Sequence, residues 1–138
     1  MDRLFLDANV LFSAAYRSDS GLAGLWKLPD VQLVTSEYAA EEARVNLADD
    51  TQRQRLNKLL RDTVLVPAIS ATTLPQDVEL PEKDRPILLA AIDARAAYLL
   101  TGDKEHFGKL FGREIAGVRI LPPADYLRRR HRAKRGEP

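Results

Sequence analysis

The sequence contains no cysteine and only two histidines, His106 and His131. Without cysteine the chain has no disulfide, no thiol nucleophile and no thiolate zinc site. The two histidines stand isolated, which argues against a histidine-rich metal site. No apolar run approaches the roughly 20 residues of a membrane span, and no basic flank precedes the apolar N-terminal stretch. These absences predict a cytoplasmic protein without a membrane partner.

The charged residues are distributed unevenly along the 138 residues. The segment 128–135, RRRHRAKR, holds 6 of the 21 lysines and arginines, so residues 1–127 carry 15 of them against 19 acidic residues, a formal charge of about −4. We therefore divide the chain into one folded domain, 1–127, and a basic, flexible tail, 128–138. The tail contains four candidate RNA contacts, Arg128, Arg129, Arg130 and Arg132; the alternative is a merely solvated C-terminus.

Short apolar segments alternate with segments of helical spacing. The predicted strands are residues 3–6, 31–35, 63–66, 98–101 and 117–121. This alternation predicts an α/β fold with a central parallel sheet of about five strands and helices on both faces. Ser36 is a candidate N-cap for the helix that follows the second strand. The last helix is expected to begin at the two prolines 122 and 123 and to run into the tail.

Two of the predicted strands end in an aspartate. Asp7 follows the apolar run LFL, and Asp103 follows YLLTG. Ligand sites of open parallel sheets lie beyond the carboxyl ends of the strands, so these two side chains are expected to be neighbours. For each of them, capping of the next helix is an equally ordinary role.

Two further carboxylates are candidates for the same edge of the sheet. Glu42 lies roughly 60° from Ala39 on the helical wheel, at the border of the apolar stripe, whereas Glu41 lies roughly 160° away. Glu42 is therefore the preferred candidate. Asp84 begins the longest apolar helix and is either a site residue or an N-cap. Four clustered carboxylates would repel one another without a cation, and hard oxygen ligands suit Mg²⁺ or Mn²⁺ and phosphoester chemistry.

Four segments together resemble the acidic motifs of the PIN-domain ribonucleases, which include the VapC-type toxins of toxin–antitoxin systems. In chain order they are LFLDANVL, VTSEYAAEEARVNL, EKDRPILLAAI and YLLTGDKEHF. The resemblance extends over about residues 2–121.

The resemblance implies a three-layer α/β/α sandwich and an endoribonuclease that uses Mg²⁺ or Mn²⁺. It implies an RNA substrate, an antitoxin protein as a possible partner, and a possible homodimer. It places Asp7, Glu42, Asp84 and Asp103 at the catalytic, metal-binding positions. The same comparison assigns supporting roles to three polar residues, Asn9, Ser36 and Thr101.

The sequence departs from the family pattern at Ala8, where many relatives carry a hydroxyl residue. Two other functions remain open. The segment DANV also fits a HAD-type phosphatase, in which Asp7 would be the nucleophile, although Asn9 replaces the second acid of that motif. A PIN fold that has lost catalysis and binds RNA or protein is the non-enzymatic alternative.

Overall fold

The computed structural model describes residues 1–67 and 72–136. Strands and helices alternate along the chain, as the sequence predicted. Their bounds are β1 Asp2–Leu6, α1 Ala8–Tyr16, β2 Val31–Ser36, α2 Glu37–Asn46, α3 Asp50–Arg61, β3 Val64–Val66, α4 Arg85–Asp93, β4 Tyr98–Leu100, α5 Lys104–Phe107, β5 Glu114–Ile115, β6 Val118–Leu121 and α6 Pro123–Lys134. Three short 3₁₀ helices cover Gly21–Lys27, Glu82–Asp84 and Gly108–Leu110.

The strands form one six-stranded sheet in the order β3-β2-β1-β4-β6-β5. All neighbouring pairs are parallel except β5 and β6, which are antiparallel. The chain runs outward from β1 through β2 to β3, then crosses back to β4 on the other side of β1. The strand order therefore reverses between β1 and β4, and a crevice at their carboxyl ends is the expected ligand site of such a sheet.

Helices flank the sheet on both faces, as the burial of the inner strand β1 shows. Leu4, Phe5 and Leu6 of β1 are all fully buried, although successive strand residues point to opposite faces. A strand that is apolar on both faces needs cover on both, which explains why β1 is a continuous apolar run. Among the described residues, no helix combines the length and hydrophobicity needed to cross a bilayer.

The predicted α/β fold with a largely parallel sheet is confirmed, and the differences are local. The sixth strand, β5, has only two residues and pairs with β6 across a turn that contains Gly117 at φ 87°. Helix α6 extends to Lys134, so most of the basic segment is helical in the structure. The division of the chain at residue 127 remains a prediction.

Candidate active site

Asp7 lies at the end of β1 and is almost fully buried, with 4% of its surface exposed. Its Oδ1 accepts a hydrogen bond from the Ala8 backbone N–H at 2.7 Å and so caps α1. Its Oδ2 accepts hydrogen bonds from Thr101 Oγ1 at 2.8 Å and from Asn9 Nδ2 at 3.1 Å. One oxygen of Asp7 therefore caps α1 as predicted, while the other is held by Thr101 and Asn9, and its role as a site residue stays a prediction.

Burial raises the pKa of Asp7 from its ordinary value of 3.8 to about 6. Hydrogen bonds from Thr101 and the Ala8 backbone oppose this shift, and the charges of Glu42 and Asp84 add to it. The carboxylate is thus held in a place where its negative charge is poorly stabilised. A nearby cation would reverse that balance.

Asn9 and Thr101 connect the ends of β1 and β4. Asn9 Nδ2 donates to Thr101 Oγ1 at 3.2 Å, and Asn9 Oδ1 accepts from the Gly102 backbone N–H at 2.8 Å. A Cβ on Gly102 would lie 3.4 Å from Asn9 Oδ1, an ordinary van der Waals contact. These bonds fix the position of Asp7 relative to the loop that carries Asp103.

Asp84, Asp103 and His106 form a compact group whose candidate ligand atoms all lie within 4.8 Å of one another. His106 Nδ1 lies 2.8 Å from Asp103 Oδ2 and 3.0 Å from Asp84 Oδ2. Asp103 Oδ1 meanwhile accepts from the His106 backbone N–H at 3.1 Å and caps α5. As with Asp7, capping uses only one oxygen; the other oxygen of Asp103 contacts the His106 ring.

Asp84 does not cap α4: its side chain makes no capping hydrogen bond, so that alternative is wrong. Its Oδ2 is buried and accepts no hydrogen bond from the described residues, although His106 lies close. Burial raises the pKa of Asp84; His106 and Lys83 oppose the shift, whereas Asp103 adds to it. A buried carboxylate oxygen without a donor is costly, and binding of a cation would compensate for that cost.

The two adjacent glutamates of α2 have different surroundings. Glu42 lines the same pocket as Asp7, Asp84 and Asp103. Glu41 is exposed and forms an ion pair with Arg44 at 2.6 Å. The helical geometry that favoured Glu42 from sequence agrees with this placement.

Ser36 has a structural role as a helix cap, whereas Ala8 lies in the lining of the pocket. Ser36 is fully buried, and its Oγ accepts from the Ala39 backbone N–H at 3.1 Å, which caps α2 as the sequence predicted. Its neighbour Thr35 is also buried and donates to the Leu6 carbonyl at 2.7 Å. Ala8 lines the pocket without a polar side chain.

The carboxylates surround an open cleft of about 770 Å³. Its lining also includes the apolar side chains of Val10, Phe12 and Leu22 and the start of α6 at Pro123. The cleft therefore combines an acidic floor with room for a ligand larger than an ion. The buried Oδ2 of Asp84, which accepts no hydrogen bond from the described residues, and the oxygen-rich donor set of the cleft fit a hard divalent cation.

His106 is not among the predicted site residues, because the two histidines are isolated in the sequence and argue against a histidine-rich metal site. The informative pattern is the spacing Asp103-x-x-His106 at the first turn of a helix. Residues three apart lie on one face of a helix, so a capping aspartate and this histidine meet.

The structure separates the four arginines proposed for RNA contact. Arg128 forms an ion pair with Asp125. Arg129, Arg130 and Arg132 instead line a groove near the other end of α6 from the carboxylate cleft. The four side chains therefore do not act as a single patch.

Comparison with known proteins identifies both family and fold. A family model described as PIN domain matches residues 3–105, about three quarters of the chain. This match decides against the HAD-type alternative. No curated protein sequence matches the chain.

Ten chains of solved structures match the fold. One belongs to the crystal structure of VapBC2 from Rickettsia felis bound to a DNA fragment from their promoter. It superposes with a TM-score of 0.67 and 14% sequence identity, over 87% of this chain and 98% of that chain. At this identity the likeness establishes the fold.

Proposed function

Since the chain belongs to the PIN domain family, whose members are generally nucleases, we propose that it is a metal-dependent endoribonuclease that hydrolyses RNA phosphodiester bonds. The observation that carries the proposal is the convergence of Asp7, Glu42, Asp84 and Asp103 on one open cleft at the reversal point of the sheet. Carboxylates assembled this way, without cysteine in the chain, suit cation-assisted attack by water.

Each acidic residue has a proposed role. Asp7, Asp84, Asp103 and Glu42 would hold Mg²⁺ or Mn²⁺, with His106 as an additional neighbour. When bound, such an ion supplies Lewis acidity, which polarises a phosphoryl oxygen and makes water a stronger acid. Glu42 is the most solvent-exposed of the four and would orient the attacking water and accept its proton. Thr101 and Asn9 would keep Asp7 aligned through their hydrogen bonds.

We further propose that the protein is the toxin of a prokaryotic toxin–antitoxin pair and acts on RNA in the cytoplasm. The fold shared with a chain of the VapBC2 structure supports an antitoxin partner. A homodimer is a second proposed assembly. Co-expression with the product of an adjacent small reading frame, followed by size-exclusion chromatography, tests the pairing: a stable complex that inhibits cleavage is expected.

The activity test is cleavage of labelled single-stranded RNA in Mn²⁺ or Mg²⁺. Cleavage is expected to stop in EDTA and in the Asp7→Asn variant, and to persist in Asp19→Asn, which changes an exposed carboxylate paired with Arg17. Metal binding without turnover of any RNA would instead favour the catalytically inactive PIN module. Equal cleavage by Asp7→Asn and the wild type would refute the site assignment.

A further inference from the structure

A second concave surface lies at the opposite edge of the sheet from the carboxylate cleft. It forms where the first residues of β1 and β4 meet the second half of α6, and it encloses about 790 Å³. We name it the α6 groove. The residues that matter below are Tyr98, Tyr126, Arg129, Arg130, Arg132 and Lys134.

The floor of the α6 groove is held by specific contacts. The rings of Tyr98 and Tyr126 pack edge to face, with centroids 5.0 Å apart. Tyr126 Oη donates a hydrogen bond to Asp2 Oδ2 at 2.8 Å, and Arg130 donates to the Pro29 carbonyl at 2.6 Å. Tyr126 is fully buried, so Tyr98 is the ring that remains partly exposed to the groove, and Arg130 is held by its hydrogen bond to the Pro29 carbonyl.

The other cations of the groove are available to a ligand. The Arg129 guanidinium lies over the Tyr98 ring, 6.0 Å from its centroid, and its side chain is exposed. Arg132 and Lys134 are exposed and pair with no residue in the ranges 1–67 and 72–136. The acidic lining consists of Asp2, which Tyr126 already engages, and Asp30.

A cationic groove that presents one partly exposed tyrosine, Tyr98, beneath an arginine has the chemistry of a single-stranded nucleic acid site. Arginine and lysine contact phosphates regardless of sequence, whereas aromatic rings and guanidinium planes offer stacking surfaces to bases. An arginine already oriented over a ring loses less conformational freedom when a base stacks on it. An acidic peptide would use the cations but would gain little from the stacked pair of Arg129 and Tyr98.

Helix α6 links the two sites. Its first residues, Pro123 and Ala124, line the carboxylate cleft, and Lys134 at its end lines the α6 groove. Twelve helical residues span roughly 18 Å. One RNA strand can therefore follow α6 from one site to the other.

We propose that the α6 groove binds a segment of the same single-stranded RNA whose scissile phosphate enters the carboxylate cleft; this rests on the proposed ribonuclease function. An active site built from carboxylates does not by itself attract RNA, and the groove would provide that attraction. The carboxylates that hold a cation repel the rest of the phosphate backbone, so attraction must come from elsewhere on the molecule. The groove supplies this attraction away from the cleft. RNAs that are long enough to reach both sites therefore bind more tightly than short ones.

Fluorescence anisotropy in EDTA tests the proposal with an unstructured RNA of about 20 nucleotides and one of about 4. Arg129→Gln and Arg132→Gln are each compared with Arg128→Gln, which removes the same charge from the same helix outside the groove. We expect each groove variant to bind the long RNA about fivefold more weakly, and the slope of log K against log salt to fall by about 0.7. Arg128→Gln should change affinity less than about twofold, and the short RNA should not distinguish the variants.

Equal weakening by all three substitutions would overturn the proposal, because it would indicate only the general field of the helix. Tighter binding of a polyglutamate peptide of equal charge, dependent on Arg129 and Arg132, would also overturn it and assign the groove to an acidic protein. Cleavage assays on the same variants separate this inference from the proposed function. Groove-dependent binding without any cleavage supports the groove and refutes the nuclease, whereas cleavage with groove-independent binding refutes the groove alone.

Discussion

Asp7 and Asp103 each cap a helix and also line the acidic cleft, two placements that sequence analysis treats as alternatives. In both, one carboxylate oxygen makes the capping bond and the other contacts a polar side chain, Thr101 for Asp7 and His106 for Asp103. The combination follows from the fold: in a parallel sheet the residue after a strand is also the residue before the next helix. A capping aspartate at such a junction is therefore not evidence against a functional site.

Glu42 offers a matched comparison within α2. If Glu42 accepts a proton from the attacking water, Glu42→Gln should lower kcat by about 10²–10⁴-fold, because glutamine cannot act as a base. Glu41→Gln changes the adjacent residue, which is paired with Arg44, and should leave kcat within about twofold. Single-turnover cleavage of labelled RNA measures both.

His106 gives a second comparison. Its ring contacts both Asp84 and Asp103, so His106→Ala should let the two carboxylates move apart and weaken Mn²⁺ binding by about 10–100-fold. His131→Ala, on exposed α6, is the control. Isothermal titration with Mn²⁺ reports the affinity directly, and a tighter site in His106→Ala would show that the histidine competes with the cation.

At the scale of secondary structure, Ser36 is expected to stabilise a helix without taking part in the chemistry. The Ser36 hydroxyl is buried and caps α2, so Ser36→Ala should lower the free energy of unfolding by about 1 kcal/mol. Its kcat at a temperature well below the midpoint should stay close to the wild-type value. Urea denaturation beside a cleavage assay tests this. A large fall in kcat without loss of stability would instead give Ser36 a direct part in the site.

The elements predicted well from sequence are those that carry a one-dimensional pattern. The apolar run of β1, the cap at Ser36 and the aspartates at strand ends are local features, and the sheet assembles them as expected. Strand β5 has only two residues and pairs with β6, so it is too short for a periodic pattern in the sequence to predict it. The cluster of His106 with Asp84 and the α6 groove depend on residues distant in sequence, which a single chain's pattern does not connect.

The acidic cleft also affects the stability of the protein as a unit. The folded protein holds the Asp7 proton up to about pH 6, whereas the unfolded chain releases it near 3.8. In this range the folded state binds more protons, so the contribution of Asp7 to stability falls as pH rises. The raised pKa of Asp84 acts in the same direction. Without a cation, the acidic site therefore lowers the free energy of unfolding at neutral pH.

Substituting Asp7 isolates this effect. Relative to the wild type in EDTA, Asp7→Asn should gain on the order of 3 kcal/mol in unfolding free energy between pH 4 and pH 7. Taking the difference between the two proteins cancels carboxylates elsewhere in the chain. Urea denaturation at a series of pH values measures it, and a difference that does not change with pH would show that the Asp7 carboxyl titrates normally.

A bound cation should remove the same penalty, because it stabilises the charged carboxylates of the folded protein and has little affinity for the unfolded chain. At pH 7 and a Mn²⁺ concentration about 100 times Kd, the wild type should gain about 2.7 kcal/mol. Asp7→Asn should gain clearly less, since the variant has lost one carboxylate ligand and the penalty with it. Thermal denaturation with Mn²⁺ and after EDTA addition checks this, and Glu41→Gln should respond as the wild type does. Equal stabilisation of Asp7→Asn would place the cation away from Asp7, on Asp84, Asp103 and His106.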